Sequence, residues 1–238
     1  MKLSLDNVDM SISIVSMCLL PTALILVFFY APVEATLGAS HKIFYLHVSS
    51  AISMMVCFGL CGMSGLIFLL LSARQKKAKQ VFDCVGVACA EMGIVLGAVV
   101  LTTGPLWAKK AWGTFWTWEP RLTLSLVVFL LFLGYVALRS FAGSDAFAKG
   151  VASGLAVLAM PLLYFIHFAV ERWGGAHPQV VFKGGLVEPK MVLTFIFTLA
   201  AVVFTSTALV LARFRIERIR NKMDEVFLAL DDMQNTEV

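Results

Sequence analysis

A chain of 238 residues that is 60% hydrophobic and only 14% charged, with a mean hydropathy of +0.88, lies far from soluble domains, which are about 45–50% apolar and about 25% charged. The net charge of +4 requires no nucleic-acid partner, because in a membrane protein the placement of Lys and Arg matters more than their sum. All five cysteines (Cys18, Cys57, Cys61, Cys84, Cys89) fall in apolar stretches and no Cys-x-x-Cys-His run occurs, which excludes a loop-borne disulfide or zinc framework and a c-type cytochrome.

Six apolar runs follow one another, at about 10–31, 43–72, 81–103, 122–140, 147–170 and 191–212. About 20 apolar residues cross a ~30 Å hydrocarbon core, so each run predicts one spanning helix. The first exceeds the ~7–15 residues of a signal-peptide core and reads as a retained span. Pro21 and Pro161 lie inside the first and fifth runs, where neighbouring helices can satisfy the freed backbone groups. The expected fold is all-α and polytopic: one six-helix membrane domain over residues 1–212, with a tail over 213–238. No internal repeat interrupts it.

Orientation follows from the basic residues. With six spans, twelve of the 19 Lys and Arg fall on the side that holds both termini, concentrated at Arg74–Lys79 and Arg213–Lys222. The positive-inside rule puts that side in the cytoplasm. Segments of about 32–42, 104–121 and 171–190 then face outward. In the tail, Phe214, Ile216, Ile219, Met223, Val226, Phe227 and Leu230 recur near helical spacing. An amphipathic extension of the last span, touching lipid headgroups or a partner, and a solvated flank both fit that pattern. Asp83 and Glu91 are the ionisable residues of the third run. Asp83 reads as interfacial, and Glu91 as a helix-packing partner or part of a ligand path.

All four histidines (His41, His47, His167, His177) lie in outer segments or at the outer ends of spans. His41 reads as a surface residue. The outer segment 104–121 holds Trp107, Trp112, Trp116 and Trp118, and the fifth tryptophan, Trp173, lies in the other large outer segment. Trp112 and Trp116 are spaced i,i+4, which puts them on one face if the segment is helical. An interfacial aromatic belt is one reading. A planar apolar shelf for a large flat ligand is the other, and the clustering on one side of the membrane favours it. Haem suits such a site, since iron takes imidazole nitrogen axially and Lys or Arg pairs with propionates. Lys109, Lys110, Arg121 and Arg172 are the candidate cations.

The run Trp112-Gly113-Thr114-Phe115-Trp116-Thr117-Trp118-Glu119-Pro120-Arg121-Leu122-Thr123 resembles the tryptophan-rich "WWD" signature of the haem-handling proteins of cytochrome c maturation. With six spans, the chain resembles most the haem exporter protein C (CcmC) branch. Phe44–Ala51 and Ile166–His177 resemble that family's two histidine-bearing segments. Glu119-Pro120 stands where Asp-Ala is common, Ser49 where Pro is usual and Arg172 where Trp is usual. The resemblance implies that His47 and His177 are axial ligands of the haem iron. It implies a haem shelf at Trp112, Gly113, Trp116, Trp118, Glu119 and Arg121, with Trp107 and Trp173 beside it, and a structural or supporting place for His167.

The cargo would be haem b, held transiently and without a covalent bond. The protein would be a platform and no enzyme, sited in the bacterial inner membrane with its haem site on the periplasmic side. Implied partners are the ABC transporter subunits of a haem-export complex, a small single-span protein, a periplasmic haem chaperone and membrane lipid. No G-x-x-x-x-G-K-[ST] run is present, so nucleotide-driven steps belong to a partner. Three other readings stand beside this one. They are a short haem lyase attaching haem to apocytochrome c, an integral b-type cytochrome, and a permease built on Asp83 and Glu91.

Overall fold

The computed structural model describes residues 2–142, 145–178, 186 and 188–236. Helix α1 spans Lys2–Ile25 and runs into a π-helical turn, Leu26–Tyr30; a 3₁₀ turn, Ala39–Lys42, leads into α2, Ile43–Leu70. Then come α3 (Lys76–Trp112), α4 (Pro120–Ala142), α5 (Ala146–Trp173) and α6 (Pro189–Thr236). All six helices are long and apolar enough to cross a membrane. Among the described residues the only extended pairing is an isolated bridge between Glu34 and Gly38. The expected all-α, six-span architecture is the one observed. Of the outer segment 171–190, residues 179–185 and 187, with Lys183, lie outside the described residues, as do residues 237–238 of the tail.

The helix ends follow from local chemistry. The α5 N-cap Asp145 accepts the backbone N–H of Ala148 at 2.8 Å, satisfying one of the orphan donors of a first turn. Pro120 opens α4, where its fixed φ suits a first helical position and its missing N–H costs nothing. One boundary differs from expectation, and another decides between the two readings of the tail. Helix α3 continues through Pro105 to Trp112, so residues 104–112 are helical and not loop. Helix α6 runs without a break past residue 212 to Thr236. Its 48 residues make about 72 Å at 1.5 Å per residue, more than twice the ~30 Å of a hydrocarbon core.

Helix α2 is central, packed on α3, α5 and α6, while α4 lies on α5 and α3, and α1 on α6. Phe58 of α2 stacks on Phe132 of α4, with ring centroids 3.9 Å apart and planes 4° from parallel. A Cβ at Gly65 would sit 2.9 Å from the Ser153 carbonyl oxygen, so α2 and α5 touch backbone to backbone, as small residues allow in membranes.

Near the N-terminus of α3 an ion-pair network ties four helices together. Asp83, expected at the interface, is instead buried, 2.9 Å from Arg139 of α4 and 3.2 Å from Lys149 of α5. Glu91 binds Arg213 of α6 through both carboxylate oxygens, at 2.6 and 2.8 Å, which is the helix-packing role among its two readings. Arg213 also reaches Glu217 at 2.9 Å, and the Asn221 amide donates to Cys84 Sγ at 3.1 Å. Glu217 and Asn221 are buried. The first turns of the tail are therefore docked on the bundle, while Ile216, Ile219, Met223, Val226 and Leu230 stay exposed on the opposite face.

Candidate functional site

At the other end of the bundle, the last turns of α3, the first turns of α2 and α4, and the segment after α5 enclose a cavity of about 850 Å³. That is large even within the ~300–1,000 Å³ of small-molecule sites. Its walls are mostly apolar and include Val48, Ile52, Leu101, Leu122, Ile166, Trp107, Trp112 and Trp116; His47, Arg121 and His177 line it together with Glu34, His41, His167 and Glu171.

His47 projects from the second turn of α2, and its Nδ1 lies 2.9 Å from Thr103 Oγ1 of α3. The Thr103 hydroxyl spends its one hydrogen on the Val99 carbonyl at 2.6 Å, so toward His47 it can only accept. His47 therefore carries its proton on Nδ1, and Nε2 keeps a bare lone pair. Metal-binding imidazoles are commonly oriented by such a bond to the distal nitrogen. The ring also lies close over Gly104, where a Cβ would come 3.1 Å from Cε1.

His177 reaches the same cavity from a sharp turn. Gly174 ends α5 at φ 76°, its N–H donating to the Val170 carbonyl, and Gly175 follows at φ 145°. Both values favour glycine. The His177 Nδ1 is 3.0 Å from the Pro178 carbonyl oxygen, an acceptor only, so here too Nδ1 donates and Nε2 is bare. Burial, then the Arg121 guanidinium and the His47 ring, push the His177 imidazole down to about 3. The His177 ring is thus a neutral nitrogen donor. Two imidazoles match the number of axial positions that a porphyrin leaves open on iron.

The tryptophans divide. Trp107 and Trp112 meet edge-to-face at 5.5 Å near the end of α3. Gly113, at φ 77°, stops the helix, so Trp112 and Trp116 do not share a helix face as their spacing suggested; the turn brings both to the cavity nonetheless. Trp118 is 76% exposed and Trp173 56% exposed, and neither lines the cavity. Trp118 packs edge-on to Trp116, and Trp173 leans on Phe165. Of the four candidate cations, Arg121 alone lines the cavity; Lys109 instead donates to the Gly113 carbonyl at 2.9 Å.

Glu119 does not line the cavity either, and its Oε2 accepts the Ala176 N–H at 2.7 Å. His41, expected on the surface, is buried, stacked on Phe44 at 5.6 Å and edge-on to Tyr45. Its neighbours at i+3 and i+4 are aromatic, which was the available signal. His167 borders the cavity with Glu171. Thr103 was missed: its partner is 56 residues away, and no local pattern marks it.

The Heme exporter protein C family matches residues 2–228. The chain is similar to the Heme exporter protein C of Escherichia coli strain K12, 32% identical over 205 residues, covering 86% of this chain and 81% of that protein. The Haemophilus influenzae protein of the same name is 31% identical over 196 residues, with 80% and 76% covered. That of Rhodobacter capsulatus is 35% identical over 151 residues, with 63% and 60% covered. The Glu119-Pro120 form of the tryptophan motif thus falls within the exporter branch. This chain belongs to the Heme exporter protein C family.

Proposed function

We propose that the chain takes part in haem export for cytochrome c maturation, binding haem b on the periplasmic side of the inner membrane and passing it to a periplasmic haem chaperone. The observation that carries this reading is the pair His47 and His177. Each has Nδ1–H tied to an acceptor and Nε2 free, and both line one apolar cavity beside Trp107, Trp112 and Trp116. Haem would lie against Trp112 and Trp116 with its iron between the two imidazoles and a propionate toward Arg121. Trp118 and Trp173, exposed beside this wall, suit contact with the recipient better than contact with the porphyrin plane.

The excess of Lys and Arg on the side of the termini supports a cytoplasmic placement for that side and a periplasmic one for the cavity. The work of the chain is ligation and hand-over, not catalysis, and an ABC transporter with a small single-span partner supplies the energy-coupled step.

The test is the absorption spectrum of the detergent-purified protein after haem titration. Wild type should give a six-coordinate Soret and α-band pattern that both His47→Ala and His177→Ala lose. Equal retention of that pattern by all three would overturn the ligand assignment. An alkaline phosphatase fusion at Gly175 should be active and one at Lys76 inactive.

A further inference from the structure

We propose that Glu119, a residue of the tryptophan motif, acts as the positioning residue for His177 and does not touch the ligand; this rests on the haem reading above. The backbone of Glu119 is fixed to α4, because its carbonyl accepts the Thr123 N–H at 3.0 Å in the first turn. Its side chain points the other way, across to the segment that follows α5. There Oε2 takes the Ala176 N–H at 2.7 Å, a charge-assisted bond of the short, strong kind. Ala176 is the residue before His177, and both border the cavity.

The contact is shaped on both sides. At Gly175, φ is 145° and a Cβ would lie 2.7 Å from Glu119 Oε2 and 3.2 Å from its Cδ. The carboxylate therefore lies flush against a backbone that only glycine leaves open. Between the end of α5 at Trp173 and His177 the chain makes two positive-φ steps, at Gly174 and Gly175. Glycines resist such a turn least and hold it least, so the geometry of the imidazole needs an external anchor. Among the described residues the Glu119 carboxylate is the side chain that bonds the backbone of residues 174–176. It links the tryptophan segment, through the α4 N-terminus, to the second iron ligand.

Positioning predicts a pattern that a general structural role does not. Glu119→Ala should weaken haem binding about 10–100-fold, as loss of an outer-shell support does. It should also turn the six-coordinate spectrum into a mixture with a five-coordinate species that keeps His47. Glu119→Gln, which retains an acceptor oxygen, should recover most of both. In the haem-free protein, hydrogen exchange at the Ala176 amide should be at least about tenfold faster in Glu119→Ala than in wild type. The same change at the amides of α4 should be absent. Where Glu119→Ala does not purify folded, Gly175→Ala serves in its place, since its Cβ would displace the carboxylate and should give the same spectral mixture.

Wild-type affinity and spectrum in Glu119→Ala, or an Ala176 amide that exchanges no faster, overturns the proposal. A wild type with no haem affinity overturns the haem reading beneath it, and amide exchange still reports separately on the Glu119–Ala176 bond.

Discussion

Replacing Thr103 by Val removes an oxygen from behind His47 while nearly preserving shape. In the native protein the imidazole Nδ1–H has one acceptor, Thr103 Oγ1 at 2.9 Å. A half-buried ring whose donor loses its partner is destabilised by about 1–3 kcal/mol. It is also free to move its proton to Nε2, which removes the lone pair that would bind iron. Loss of an outer-shell partner typically costs about 10–100-fold in metal affinity, or about 1.4–2.8 kcal/mol at 1.4 kcal/mol per decade. Haem titration of detergent-purified protein, followed at the Soret band, measures the effect directly. Thr103→Ser, which keeps the acceptor, should bind within about threefold of wild type. A Thr103→Val variant that binds haem within twofold of wild type would refute the reasoning, because the bond would then orient nothing.

Three further outcomes follow from the same geometry. Gly104→Ala would place a Cβ 3.1 Å from His47 Cε1, so the ring must shift by a few tenths of an ångström. Gly104→Val should abolish the bis-histidine spectrum, and Gly104→Ala should weaken it in part; unchanged spectra in both would contradict the close approach. Because the His177 imidazole is held down at about 3, it stays neutral over the acid range in which an ordinary imidazole takes up a proton. An unperturbed histidine, with a pKa near 6.5, would lose about tenfold of its neutral form between pH 7.5 and 5.5. Haem affinity should therefore change less than about threefold across that interval, and a tenfold fall on acidification would show the ring to be protonated. Asp83→Ala strands Arg139 and Lys149, which it meets at 2.9 and 3.2 Å. Breaking a buried pair costs about 3–5 kcal/mol, so thermal unfolding in detergent should fall sharply, and Asp83→Ala with Arg139→Met should recover much of the loss. The folded fraction should still bind haem, since Asp83 and Thr103 are about 30 Å apart along α3 at 1.5 Å per residue.

The spans were legible because the bilayer imposes one coarse rule, a minimum apolar length. The ends were less so. Pro105 reads as a stop in a soluble helix, yet α3 carries it and two tryptophans onward to Gly113, since in a membrane bundle neighbours can satisfy a freed carbonyl. The charges were misplaced for a related reason. Asp83 looked interfacial because its partners Arg139 and Lys149 sit on two other helices, and sequence spacing says nothing of which helix ends meet. Arg213 reads as part of a basic cluster, but its contacts with Glu91 and Glu217, and that of Glu217 with Arg139, make this stretch part of the bundle.

At the site, short motifs disclosed donors but not their aim. His47, His177 and Arg121 line one cavity, and each belongs to a segment whose neighbours also leave a recognisable string. Which ring nitrogen is free depends instead on Thr103 and on the Pro178 carbonyl, the first remote in sequence and the second invisible to residue identity. The tryptophans make the same point. Five indoles look alike in a string, whereas a single left-handed glycine at position 113 decides that Trp112 ends a helix and Trp116 turns back to the cavity while Trp118 faces outward. Glu119 is the sharpest instance. Its place beside the tryptophans suggested a ligand contact, yet a backbone N–H 57 residues away holds its carboxylate. Composition sets which chemistry is available to a site, and the backbone turns at Gly113, Gly174 and Gly175 set which atoms can use it.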